Sequence, residues 1–168
     1  MDTKPDPQQT GENAGEYQLA SFLPYQLSIA SNAVSGLIAE RYRTRFGLKI
    51  PEWRVMAVLG DARQMRDGPG WLTQRDLTEA TLMDKVAVNR ACKVLGERGL
   101  IARVANEQDG RSHHLELTEE GRAIHREVMP LARATESELL EGLSEAEQAA
   151  LRTMLDKVRT RASRLAGL

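Results

Sequence analysis

Apolar residues recur at helical spacing along most of this chain, and the period drops to two in one short region only. From Tyr17 to Phe46 the stripe Leu19, Phe22, Leu23, Leu27, Ala30, Ala33, Val34, Leu37, Ile38 and Tyr42 predicts one long helix, interrupted early by Pro24 and ended by Gly47. Pro51 to Gly60 has proline at a first helical position and glycine near its finish, which predicts a short, mostly buried helix. Asp67-Gly68-Pro69-Gly70 is a loop. Thr73 to Ala80 reads as a short helix capped by Thr73, with Asp76 where a capping box usually has Glu or Gln. A tight connection, Thr81-Leu82-Met83, leads on, and Leu77, Ala80 and Leu82 are expected to pack this helix against the next. Met83 to Gly99 then forms one helix. Asp84 caps its first turn, Gly99 takes the left-handed conformation past its end, and Val88, Ala91, Cys92 and Leu95 fall on one face.

Leu100 to Val104 and His113 to Leu117 carry the period of two. They are bridged by Asn106 to Ser112, whose Asp109-Gly110 step signals a hairpin. Thr118 caps a further helix with Glu119 and Glu120 in its first turn, favourable for the helix dipole. That helix carries Ile124, Val128, Leu131, Leu139 and Leu140, holds Pro130 as a kink, and is broken by Gly142. Ser144 to Glu147 is a capping box that starts the last helix, with Ala150, Leu151, Met154, Leu155, Val158 and Leu165 on its apolar side. Helix, turn, helix, hairpin between flanking helices predicts a mainly α fold with a small β-hairpin wing (α+β), a winged helix-turn-helix. Residues 1–17 are polar and hold Pro5, Pro7, Gly11 and Gly15, so a disordered tail is expected there. The expected division is 18–50 for a dimerisation helix, 51–118 for the winged helix-turn-helix and 119–168 for C-terminal dimerisation helices. The first and last helices hold more apolar surface than one chain of this size can cover, which points to an isologous homodimer.

The outer face of the helix from Met83 to Gly99 presents Lys85, Val86, Ala87, Asn89, Arg90 and Lys93. Cations suit phosphates, Arg and Asn suit purine edges, and Val or Ala suits thymine methyls, so this set fits a DNA major groove. Taken alone it is an ordinary solvated helix face; the short helix before it and the hairpin after it favour DNA. Thr73 and Gln74, at the start of the preceding short helix, join it as expected contacts.

The run Asp109-Gly110-Arg111-Ser112-His113-His114-Leu115-Glu116-Leu117-Thr118-Glu119-Glu120-Gly121 resembles the wing signature of MarR-type transcriptional regulators, with Leu-x-Leu-Thr-x-x-Gly closing the hairpin into the next helix. Leu95 to Ile101 is similar to the end of that family's recognition helix. The resemblance implies a repressor that binds a pseudo-palindromic double-stranded DNA operator as a triangular homodimer with the terminal helices at its apex. It also implies that Arg111 enters the minor groove and that Asp109 orients it; a charge-assisted bond and a narrow, electronegative groove are the physical reasons. Ser112 is placed beside them as a DNA contact. Regulators of this kind are often released by small aromatic acids or phenolic ligands held between the dimer helices and the DNA-binding domain. Tyr25, Ser28, Asn32 and Trp53 are the candidate ligand contacts here. Core packing for Tyr25 and Trp53, and surface polarity for Ser28 and Asn32, remain open beside that role.

Composition sets limits on the rest. The chain has 168 residues, 28% charged and 41% hydrophobic, an ordinary soluble globular mix that suits one domain. A net charge of −1 requires any basic footprint to be local. From Glu40 to Arg54 five cations face two acids, whereas from Thr118 to Glu147 eight acids face three cations, which suggests a basic DNA face and an acidic remainder. Cys92 is the single cysteine and lies on a packed face, so no disulfide framework is expected. With no leader or long apolar run, a cytoplasmic protein without membrane contact is expected. His113, His114 and His125 are the only histidines, and no nucleophile elbow, P-loop or zinc-protease motif accompanies them. No enzyme activity, cofactor or metal is expected. Two alternatives stay open: a winged helix used for protein contacts alone, and a metal- or redox-responsive regulator.

Overall fold

The computed structural model describes residues 18–65, 71–105 and 113–167. After a 3-10 turn at Leu19–Ser21 come helices α1 (Leu23–Phe46), α2 (Ile50–Met65), α3 (Gln74–Thr81) and α4 (Lys85–Glu97). Strands β1 (Ile101–Ala105) and β2 (His113–Leu117) follow, then helices α5 (Glu119–Leu140) and α6 (Glu145–Ala166). The fold is therefore mostly helical with one small antiparallel hairpin. The chain divides into two compact units, one up to Ser35 and one from Gly36 onward.

In the first unit the Ser21 hydroxyl donates to the Gln18 carbonyl at 2.8 Å, and Gln26 donates to the Ala20 carbonyl at 2.7 Å, tying the turn to the start of α1. Pro24 lies in the first helical turn, where its missing N–H breaks no helix bond, so it marks the start of α1 and does not interrupt it. Leu19, Phe22, Leu23 and Ile29 are all exposed.

In the second unit one core joins Ala39 and Tyr42 of α1, Leu48 of the connection that follows it, Trp53, Val55, Met56 and Leu59 of α2, Leu77 of α3, the buried face of α4, the base of the hairpin and Val128 of α5. Gly47, at φ +60, ends α1 as expected. The short helix was expected to finish near Gly60, but α2 runs on to Met65. Gly60 serves packing instead: a Cβ there would come within 2.3 Å of the His125 ring of α5. Such a role depends on a residue far along the chain and has no local signal.

The hairpin pairs Ile101 with Leu117 and Arg103 with Leu115. Leu72 adds a third, single-residue contact, accepting from the Leu115 N–H at 2.7 Å. The corner from α4 into the hairpin and α5 is closely bonded. Gly99, at φ +68, lets the Leu100 N–H reach the Leu95 carbonyl at 2.9 Å, and the Thr118 hydroxyl donates to the Gly99 carbonyl at 2.7 Å. Thr118 also accepts from the Gly121 N–H at 3.1 Å, capping α5.

Charge is less segregated in space than along the chain. Arg41 of α1 pairs with Glu138 of α5 at 3.1 Å, and Arg45 pairs with Glu127. Arg98 donates to the carbonyls of Phe46 and Gly47 at 2.6 and 3.2 Å. The basic stretch from Glu40 to Arg54 is thus in part the partner of the acidic stretch after Thr118. It does not form a wholly separate DNA-facing patch.

Candidate DNA interface

Asp84 caps α4 by accepting from the Ala87 N–H at 2.8 Å. Four residues at positions i, i+3, i+4 and i+7, namely Val88, Ala91, Cys92 and Leu95, are buried by this helix. The opposite stripe, Val86, Asn89, Arg90 and Lys93, is exposed, as is Lys85, while Ala87 is half-buried. Lys93 lies 3.8 Å from Glu97 with both side chains largely in solvent, a contact weak enough to be given up to a phosphate.

In front of α4, α3 begins with a full capping box. The Asp76 N–H donates to the Thr73 hydroxyl at 3.2 Å, and the Thr73 N–H donates to the Asp76 carboxylate at 2.8 Å. The Thr73 hydroxyl also donates to that carboxylate at 2.9 Å, so the side chain is committed to the cap. Gln74 is half-buried at the first position of α3. Thr73 and Gln74 thus stand at the N-terminal end of α3, Thr73 bonded within its cap and Gln74 half-buried.

The connection between α3 and α4 also departs from expectation. Leu77 is fully buried, but Ala80 is exposed and Leu82 is 60% exposed. Leu82 caps α3 at φ 51, and this left-handed turn sends its side chain outward, away from the packing role expected of it. Asp109, Arg111 and Ser112 lie outside the described residues.

Burial raises the Cys92 thiol to about 11, with Arg103 and Gln74 opposing the shift, so the thiolate is scarce at neutral pH. A group that is not ionised is a poor nucleophile toward oxidants, and packing is the role this geometry gives it. Two of the histidines prove to be aromatic partners and not plain surface residues. His114 stacks on Trp71 at 5.4 Å between centroids, and His125 stacks on Trp53 at 5.7 Å. Among the described residues no cluster of three or more His, Cys, Asp or Glu could hold a metal ion, and no helix is long and apolar enough to cross a membrane.

Of the four candidate ligand contacts, Trp53 is 7% exposed and packed between Tyr42 and His125, so it belongs to the core. Tyr25, Ser28 and Asn32 are exposed on α1. A cavity of about 600 Å³ lies elsewhere, between α2 and α5, with Ala57, Val58, Met129 and Pro130 as apolar lining and Asp61, His125, Arg126 and Arg133 as its polar groups. Burial holds the His125 imidazole below its ordinary pKa, with Asp61 opposing, which favours the neutral ring; the arginines supply the cavity's positive charge. The sequence pattern did not reveal this cavity, because it depends on two helices meeting and not on any periodic run.

A buried-face helix with a polar and cationic outer stripe, preceded by a capped short helix and followed by a hairpin, is a winged helix-turn-helix arrangement. Residues 46–112 match the family model described as "MarR family". An HTH-type transcriptional repressor of Mycobacterium tuberculosis is 29% identical over 112 residues, covering 67% of this chain and 76% of the repressor. A MarR/EmrR family transcriptional regulator from Acinetobacter sp. ADP1 has a similar solved structure, with a TM-score of 0.76 and 25% identity, covering 88% of this chain and 99% of that one. The PcaV transcriptional regulator of Streptomyces coelicolor, solved with its natural ligand, matches at a TM-score of 0.69 and 26% identity over 86% of this chain and 96% of its own. The chain is thus similar to MarR-type transcriptional regulators, in sequence over residues 46–112 and in fold over most of its length.

Proposed function

We propose that the protein is a repressor that binds a pseudo-palindromic operator as a homodimer, with α4 in the major groove and the hairpin wing beside it. The observation that carries this reading is α4 itself. Its buried stripe fixes its orientation on the core, and its exposed stripe offers Lys85, Val86, Asn89, Arg90 and Lys93 outward. Arg90 and Asn89 would read purine edges, while Lys85 and Lys93 would neutralise phosphates. Asp109, Arg111 and Ser112 are assigned to the wing's minor-groove contact through their resemblance to the family signature. The names of the mycobacterial repressors support the direction of control.

The dimer is supported by apolar surface left open in the single chain. Leu139, Leu143, Leu151, Met154, Leu155, Val158 and Leu165 are all exposed along α5, its end and α6. In the first unit Leu19, Phe22, Leu23 and Ile29 are exposed as well. Burying such faces against a second copy is the ordinary solution for terminal helices of this composition. Two recognition helices would then stand about 34–36 Å apart, one turn of DNA.

A small aromatic or phenolic acid is the proposed effector. The cavity between α2 and α5 suits it better than the set Tyr25, Ser28, Asn32 and Trp53, since apolar walls can hold a ring and Arg126 and Arg133 a carboxylate. A ligand that favours a conformer with altered recognition-helix spacing lowers operator affinity by shifting the population.

Arg90→Ala tests the reading where it is most exposed. With DNA selected from random duplexes by the wild-type protein, the variant is expected to lose roughly 1–3 kcal/mol of affinity at fixed salt and to keep its melting temperature. Unchanged affinity in fluorescence anisotropy would remove α4's outer face from the interface.

A further inference from the structure

Between residues 46 and 117 only two large apolar side chains are exposed among the described residues: Leu82, at 60%, and Val86, at 65%. The other exposed large hydrophobics lie in α1, α5, α6 and the turns beside them, on faces that a second copy would cover. These two sit together in the chain at the leading end of α4, where the dimer reading gives them no cover.

The fold does not account for either residue. Leu82 is the only non-glycine residue with positive φ among those described, at φ 51, in a conformation that Gly or Asn adopts with less strain. A leucine that is both left-handed and solvent-exposed stabilises neither backbone nor core. Val86 stands in the first turn of α4, where a β-branched side chain left in water is a weak choice for a helix.

Their surroundings name an occupant. Val86 lies on the same stripe as Asn89, Arg90 and Lys93, so apolar surface is set among one amide and several cations. In the DNA major groove the exposed apolar feature among hydrogen-bonding edges and phosphates is the 5-methyl group of thymine. We propose that Leu82 and Val86 read thymine methyl groups, and that each operator half-site carries thymines opposite the leading end of α4. This rests on the DNA-binding reading above and adds the base that the apolar part of the interface selects.

The test replaces each thymine of the selected half-site in turn by deoxyuridine, which removes the methyl and leaves every hydrogen-bonding group in place. At fixed salt, one or two replacements per half-site are expected to weaken wild-type binding about 3- to 10-fold, in keeping with loss of a buried methyl contact. Leu82→Asn, which suits the left-handed backbone, and Val86→Ala are expected to bind the thymine and deoxyuridine duplexes nearly alike. Equal wild-type affinity for every substituted duplex would overturn the proposal while leaving DNA binding intact, and would point to a protein contact for the pair. If the wild-type protein binds no duplex in a salt-dependent way, the DNA-binding reading fails and the proposal fails with it.

Discussion

Gly121→Ala is expected to lower stability by about 3 kcal/mol, the upper end of the usual overpacking range, and the melting midpoint by roughly 6–12 °C. A Cβ at this position would lie 2.0 Å from the Leu100 carbonyl oxygen and 3.0 Å from its carbon. Both are backbone atoms, so no rotamer change relieves the clash. The Leu100 carbonyl also accepts from the Thr118 N–H at 3.1 Å, and Thr118 in turn holds Gly99. Making room therefore means moving the start of α5 away from the strand that follows α4, at the cost of that bonded corner. Gly96→Ala is the control. It lies within α4, a Cβ there meets nothing within 4 Å, and the change should be neutral or stabilising by about 0.5–1 kcal/mol. Thermal unfolding followed by circular dichroism checks both, and an unchanged midpoint for Gly121→Ala would contradict the close approach.

Leu95→Ala is expected to destabilise by roughly 2–5 kcal/mol, through lost burial and the cavity left behind. Leu95 is fully buried at the last position of the α4 core stripe, and the Leu100 N–H closes the helix end on its carbonyl. Denaturant unfolding gives the number directly. The same variant separates stability from recognition: whatever fraction remains folded should still bind DNA, since the outer stripe is intact. A loss below about 1 kcal/mol would mean that α4 is not anchored through this face, and that its outward stripe is not fixed either.

These two residues also mark what could be read from the chain itself. Val88, Ala91, Cys92 and Leu95 were legible because helical periodicity is a local property, and Asp84, Thr118 and Ser144 because capping side chains act within three residues. Gly121 was visible only as part of a family-like motif; its physical reason is a carbonyl twenty-one residues earlier. Gly60 was misread as a helix end because the ring that needs its space belongs to His125. Leu82 was misread as a packing residue because its left-handed backbone, unusual for leucine, reverses the direction a helical pattern implies. Of the expected interface, Lys85, Val86, Asn89, Arg90 and Lys93 stand where periodicity put them. Thr73 stands in the Asp76 cap that its spacing indicated, and Gln74 is half-buried beside it. The charge blocks misled, since Arg41 and Arg45 meet carboxylates of α5 in space.

The central claim is that α4 presents a DNA-reading face, and its most direct test is fluorescence anisotropy on duplex DNA from upstream of the protein's own gene, against a scrambled duplex of equal composition, across a series of salt concentrations. Binding should be tighter to the upstream duplex, with affinity falling steeply and linearly in log–log form as salt rises, as cationic contacts to phosphates require. Weak binding that is equal for both duplexes, and equal again for a duplex selected from random sequence, would contradict the claim and leave the winged helix as a surface for protein contacts.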